Sequence, residues 1–326
     1  MSKLRVAVVH GGRSGEHEIS LRSARAVIDN LNPDLFVAVP ILIAKDGQWS
    51  PAPILPQPGA NPHIDVVFPA LHGTFGEDGT LQGLLEMAGL PYVGAGVFAS
   101  SAAMDKEVFK RICLQRGLPV VDYLLQHASA LDPDAAIARL GLPLFVKPAN
   151  LGSSVGIAKA HSREELVAAL ADAARYDSKI LIERSIEGQE LECAVLGNEQ
   201  PEAATPCEIL PSKEFYDYED KYLLDKAEIL IPPRLTPEAI AEVKRLAVAC
   251  YQAVECSGMG RVDFLVEKAS GRIFINELNT IPGFTSISMF PKMWQHDGLA
   301  FPALTERLIG LALERHAQRQ SLRYEL

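Results

Sequence analysis

The chain opens with short apolar runs separated by segments of helical period: RVAVVH, then SLRSARAVIDNL, then FVAVPILIA and IDVVFPAL. Apolar runs alternating with helical segments predict an open parallel sheet in the N-terminal third. In FVAVPILIA, Pro40 lacks the donor that a central strand needs, so the run reads as a buried strand with its boundary at the proline. The stretch PAPILPQPGANP, with five prolines from Pro51 to Pro62, predicts a surface loop. A helix is expected from about Met104 to Arg116 and another over DPDAAIARLG, followed by strands LFVKP, VGIAKA and KILIERSI. From LECAVLG onward strands return, interrupted by PSKEFYDYEDKYLLDKAE. That polar, aromatic stretch is either an ordered lid or a plain surface excursion.

Length and charge narrow the classes. At 326 residues the prior is two or three domains, each with its own core. The 31 basic and 41 acidic side chains leave a net charge of −10, with no basic stripe, which argues against a nucleic-acid partner. No apolar run reaches the length of a membrane span, and the start, MSKLRVAVVHGG, is too short in its apolar part for a secretion signal. Five cysteines, an odd number without a CxxC pair, fit reduced thiols in a cytosol better than a disulfide frame.

Two late segments carry the most chemistry. Arg261 and Asp263 in GRVDFLV, and Glu277 and Asn279 in IFINELN, are each separated by two residues, so each pair shares one face of a strand. The intervening EKASGR reads as a turn. With Ala269, Ser270 and Gly271 at its tip, Asp263 lies opposite Glu277 and Arg261 opposite Asn279. Three oxygen donors beside a guanidinium suit a hard cation that holds phosphate, whereas an acidic pair alone would be an ordinary solvated hairpin face.

Three glycine clusters are candidates for phosphate contact. Gly94-Ala-Gly96-Val-Phe-Ala99 fits a loose dinucleotide fingerprint, yet Arg116 to Val120, where a ribose-binding acid belongs, holds no carboxylate. These glycines read as a domain-joining turn. Gly152-Ser153-Ser154-Val155-Gly156 fits the GxSxG nucleophile elbow, but the elbow requires a helix directly after the serine, and a strand pattern follows instead. The better reading is a flexible tip whose N–H groups close over phosphates with Lys147 behind them; an ordinary hairpin stays about even with it. The third cluster, Gly11 to Glu16, opens a helix without the Lys-Ser/Thr of a P-loop. Glu16 there either complements the helix dipole or holds a substrate ammonium. His72, in LHGTFGEDG, and His17 are read as structural, backbone-bonding residues slightly ahead of substrate contacts.

Lys106, Lys147 before a small-residue loop, Glu183 and Glu190 around a strand, then Asp263, Glu277 and Asn279 resemble the ATP-grasp arrangement. Within that superfamily the chain resembles the D-alanine-D-alanine ligases over essentially its full length. The motifs carrying the resemblance are HGGRSGEHEIS, ALHGTFGEDGTLQG, KPANLGSSVGI, EFYDYEDKY, GRVDF and NELNTIPGFTSIS. The resemblance implies an α/β, overall α+β, three-domain fold: an N-terminal open-sheet unit over 1–96, a central unit with the glycine-rich loop over 97–187, and a C-terminal unit with lid and metal site over 188–326. The second and third would clamp ATP between them.

Carried over by position, the resemblance implies that Lys106 and Lys147 reach the ATP phosphates, Glu183 the adenine edge and Glu190 the ribose. Ser185, Ile186 and Asn276 would line the same site, with Phe215 and Lys221 closing it from the lid. Asp263, Glu277 and Asn279 would hold two Mg²⁺, or Mn²⁺. Glu16 would take the ammonium of the first D-alanine in a trio with Ser153 and Tyr222, with Ile19 near its methyl group. Arg261 and the Gly283 N–H would stabilise the tetrahedral intermediate, and Ser288 would bind the second carboxylate. Met289 stands where many members carry leucine, a volume-conserving exchange. The expected partners are D-alanine and ATP, with a cytoplasmic homodimer implied by the family. Two alternatives stay open: a D-alanine-D-lactate ligase, against which the Tyr222-containing lid argues, and a noncatalytic ATP-binding sensor, against which the full metal set and Arg261 argue.

Overall fold

The structure, a computed structural model, describes residues 2–152, 155–210, 228–285 and 287–323. The N-terminal segment runs β1 (Leu4–Gly11), α1 (His17–Asp29), β2 (Phe36–Ile43), β3 (Trp49–Ser50), β4 (Val66–Pro69) and α2 (Thr80–Ala88). Its sheet has the order β3-β2-β1-β4; β1 pairs in parallel with β2 and β4, and the two-residue β3 adds an antiparallel edge. Strand β1 is apolar on both faces, as a central parallel strand must be. Val6 and Val8 enter one core with Phe68, while Ala7 and Val9 enter another with Leu81, Leu85 and Tyr92.

Strand β2 departs from expectation. It continues through Pro40, which is exposed, and only Phe36, Ile41 and Ile43 are buried along it. The physical reason is pairing: β1 runs along the whole of β2 on one side, whereas β3 covers only Leu42 and Ile43 on the other. At Pro40 that second side is an open edge, where a missing N–H costs little.

Next come α3 (Val97–Met104), α4 (Lys106–Gln115), β5 (Tyr123–His127), α5 (Pro133–Leu140), β6 (Leu144–Pro148), β7 (Ala158–Ala160), α6 (Arg163–Ala173) and β8 (Lys179–Arg184). The single helix expected from Met104 to Arg116 is α4 alone. Asp105 interrupts the helical run as its N-cap, accepting from the N–H groups of Glu107 and Val108 at 3.1 Å each. The sheet β5-β8-β6-β7 is antiparallel, with Leu144, Val146, Ile180 and Ile182 packed under α6.

The remainder is β9 (Gly188–Gly197), β10 (Glu202–Ala203), β11 (Cys207–Leu210), β12 (Glu228–Leu230), α7 (Pro237–Ala253), β13 (Gly258–Glu267), β14 (Ile273–Asn279), α8 (Met289–His296) and α9 (Phe301–Gln320). Its antiparallel sheet has the order β12-β11-β9-β13-β14, with β10 beside β9. One face carries α7 together with α3 and α4, so Phe109 and Cys113 share a core with Leu191, Cys250 and Val262. Phe109 is fully buried there, a contribution of roughly 1.5–3 kcal/mol. The other face meets α8, α9 and the N-terminal sheet through Ala194, Met259, Phe290 and Leu308.

Gly94 packs against the C-terminal part of the chain. The Arg315 guanidinium of α9 lies 4.3 Å over the Tyr92 ring and donates to the carbonyl oxygens of Tyr92 and Gly94. A Cβ at Gly258 would press to 2.9 Å against the Gly94 nitrogen, so the close approach needs glycine. All five cysteines are buried and unbridged. Among the described residues no helix is long and apolar enough to cross a membrane.

Candidate active site

The hairpin of β13 and β14 pairs Asp263 with Glu277 and Arg261 with Asn279, the register expected from sequence. Its route there is different. Val266 pairs with Ile273, one step away from the expected frame, and a bulge beyond Asp263 restores that frame, leaving Asn276 as the extra residue. Asn276 accepts from Lys147 Nζ at 3.3 Å, so the bulge joins the hairpin to the central sheet.

Arg261 forms a bidentate pair with Asp263, both bonds 2.7 Å long, and its Nε lies 3.1 Å from Glu192 on β9. Burial would lower its pKa, but Asp263 and Glu192 outweigh that and raise it well above the ordinary value. Asn279 Nδ2 donates to Asp263 at 3.0 Å. Two carboxylates and an amide oxygen are all hard donors and fit Mg²⁺ or Mn²⁺. No cluster of three or more His, Cys, Asp or Glu side chains suited to a metal occurs among the described residues. Asp263 and Glu277 would therefore need the Asn279 oxygen, phosphate oxygens or water to complete a coordination shell.

On the central sheet, Glu183 of β8 is 3 % exposed and lies between two lysines. Lys110 Nζ is 2.6 Å from one of its oxygens, and Lys147 of β6 pairs with the other. Burial raises the Glu183 pKa, but the lysines outweigh it and hold the carboxyl at about 2. Lys106 caps this arrangement from α4. Its backbone N–H donates to Ala149 O at 3.0 Å, its Nζ to Leu151 O at 2.5 Å, and Nζ lies 3.8 Å from Glu277. The start of α4 thus tethers the glycine-rich loop.

Two cavities flank these residues. The larger, about 680 Å³, is lined by Lys147, Glu183, Ser185, Ile186, Glu190, Asp263 and Asn276. The smaller, about 170 Å³, is lined by Glu16, Ile19, Lys106, Arg261, Gly283, Ser288 and Met289. Ile157, Glu192 and Glu277 line both. At the smaller one, Glu16 fits between two glycine segments: a Cβ on Gly73 would come within 2.5 Å of its Oε2, and one on Gly152 within 3.4 Å. A Cβ on Gly283 would come within 2.9 Å of Ser288 Oγ, which itself accepts from the Thr285 N–H at 3.0 Å. Ser153, Phe215, Lys221 and Tyr222 lie outside the described residues.

The histidines have structural bonds. His17 Nδ1 donates to Gly12 O at 2.8 Å, and His72 bridges Ser23 Oγ at 2.8 Å and Ile281 O at 3.2 Å. Burial lowers the His72 pKa, with Glu16 opposing. Neutral His72 therefore donates from Nδ1 to the carbonyl and accepts at Nε2 from Ser23.

Sequence reasoning missed Glu77, Lys110 and Glu192. Glu77 lines the smaller cavity, accepts from the Gly73 N–H at 2.7 Å, and has its pKa raised by burial and by Glu16. A signal existed for two of the three: Lys110 sits one helical turn after Lys106, and Glu192 two residues after Glu190, hence on its strand face.

A sheet with a parallel centre, two further antiparallel sheets around a cleft and a carboxylate hairpin define an ATP-grasp ligase. Comparison with known proteins gives the family. Residues 5–59 and 55–95 match the D-ala D-ala ligase N-terminus model and 112–310 the D-ala D-ala ligase C-terminus model. The chain is 60% identical to a D-alanine–D-alanine ligase of Solibacter usitatus, covering 99% of each, and 46% identical to one of a Thermoanaerobacter species, covering 98% and 99%. Among solved structures it is similar to the D-alanine-D-alanine ligase from Coxiella burnetii (TM-score 0.88, 36% identity, 98% and 97% covered). It is also similar to the VanG D-Ala:D-Ser ligase from Enterococcus faecalis (TM-score 0.86, 36% identity, 95% and 100% covered). The chain belongs to the D-alanine–D-alanine ligase family.

Proposed function

We propose that this chain joins two D-alanines into D-alanyl-D-alanine, consuming ATP and passing through a D-alanyl phosphate, to supply peptidoglycan synthesis. The observation that carries this reading is the wall shared by the two cavities. A phosphoryl donor in the larger one and a small amino acid in the smaller one would meet at Glu277 and Glu192.

Each proposed role follows from chemistry at its atoms. A carboxylate is a poor electrophile, so the first D-alanine, with its ammonium at Glu16 and its methyl near Ile19, must be phosphorylated before an amine attacks. Lys106 and Lys147 would offset phosphate charge and fix the line of transfer, which is mostly positioning and electrostatics. Glu183, Ser185, Ile186, Glu190 and Asn276 would hold the nucleotide. Mg²⁺ or Mn²⁺ held by Asp263, Glu277 and Asn279 would neutralise phosphate charge. Attack by the second amine creates an oxyanion, for which Arg261 and the Gly283 N–H are preorganised donors. Ser288 and Met289 would seat the second substrate. Ser153, Tyr222, Phe215 and Lys221 would exclude water from the acyl phosphate. Three units, 1–96, 97–187 and 188–326, each with one sheet, and a cytoplasmic homodimer complete the proposal.

The test is ADP release from ATP and Mg²⁺ with D-alanine, with L-alanine, D-lactate and D-serine in parallel, and products identified by mass. D-alanine alone should support release and yield its dipeptide. ATP binding without D-alanine-dependent release would sink the reading and leave a sensor.

A further inference from the structure

Lys110 lines neither cavity, is 1 % exposed, and still carries a charge into the interior of the molecule. An ammonium that deep persists only beside an anion. Its partner is Glu183, at 2.6 Å, and Glu183 also holds Lys147. Helix α4 supplies Lys110 from the same side as Lys106, four residues earlier, and Phe109 and Cys113, beside them on that buried side, anchor the helix on the C-terminal sheet. The lysine is thus carried rigidly to the underside of the nucleotide cavity.

Charge balance decides what this does. Glu183 and Lys147 alone would form a neutral buried pair, and phosphates entering the larger cavity would have to compete with Glu183 for the Lys147 ammonium. Within this trio, two lysines around one carboxylate leave one surplus positive charge, and Lys147, which faces the cavity and Asn276, is the one able to turn outward. Glu190 and Glu277 also face Lys147 and raise its pKa along with Glu183, against the lowering effect of burial. Lysine at 147 therefore stays charged.

We propose that Lys110 is a positioning residue for nucleotide binding: by holding one oxygen of Glu183 it releases Lys147 to the phosphates. The proposal rests on the nucleotide reading above. It is tested by binding, which does not need turnover, so its failure is separable from failure of the ligase activity. ADP and adenosine, each with Mg²⁺, are titrated calorimetrically into the full chain and its variants.

For K110M, affinity for ADP should fall at least about tenfold more than affinity for adenosine, because the loss is one charge-assisted phosphate contact. Adding E183Q removes the anion that captures Lys147, and the ADP-to-adenosine ratio should return to within about threefold of the unaltered chain, well inside one such contact. Equal losses for both ligands in K110M, or an unchanged ADP affinity, would overturn the proposal, as would failure of the unaltered chain to bind ADP. If K110M does not fold, K110M/E183Q, which buries no lone charge, decides alone. A retained ratio supports charge balancing, and a ratio about tenfold down shows instead that Lys110 serves the phosphates directly.

Discussion

Glu277 lies on the wall common to both cavities, 3.8 Å from Lys106, while both oxygens of its cross-strand partner Asp263 are engaged by Arg261. Of the two hairpin carboxylates, Glu277 is therefore the better placed to hold a metal beside a transferring phosphate. Glu277→Gln keeps the size and removes the charge. The expected result is a fall in kcat of about a hundredfold or more, the usual scale for losing one preorganised electrostatic group. The Mg²⁺ concentration for half-maximal rate should rise with it, and a magnesium titration giving the unaltered requirement would remove Glu277 from the metal site. This residue was legible in sequence because a period of two fixes which side chains share a strand face. For Lys110 and Glu192 spacing gave only the shared face and not the partner, since Glu183 and Arg261 lie on other elements and meet them only through tertiary packing.

At the scale of elements, α4 links stability to the proposed nucleotide site. Asp105 caps its first turn and also accepts from Lys179 Nζ at 2.6 Å, and the next residue is Lys106. Asp105→Ala should lower stability by about 1–2 kcal/mol through loss of the cap. Because the same turn aims Lys106 and tethers the loop at Ala149 and Leu151, KM for ATP should rise more than KM for D-alanine. Denaturant melts and steady-state kinetics would check both, with Asp105→Asn restoring the cap and most of the ATP affinity. A stability loss with unaltered KM for ATP would separate the cap from the site. The elements themselves were mostly readable from periodicity, and the failures have local causes. Strand β2 tolerates Pro40 because one of its sides is uncovered there, and the bulge at Asn276 leaves no trace in the apolar pattern of IFINELN.

Across the whole molecule, helices join the three sheets alongside direct contacts such as Lys147 with Asn276. Helix α4 packs on the C-terminal sheet while sending lysines toward the central one, and α9 fastens the N-terminal segment through Arg315. Sequence motifs pointed to the family and its clamp, but not to which helices join the sheets, because amphipathic faces do not name their partners. In the proposed reading, a carboxylate in the small cavity would face a phosphoryl donor in the large one across Glu277, which lines both. The most direct test follows the oxygen atoms. D-alanine carrying oxygen-18 in its carboxylate is turned over with ATP and Mg²⁺, and the phosphate released is analysed by mass. Phosphorylation of the carboxylate predicts one labelled oxygen in each phosphate formed alongside dipeptide. Dipeptide accompanied by unlabelled phosphate would contradict the acyl phosphate route and the roles assigned to both cavities.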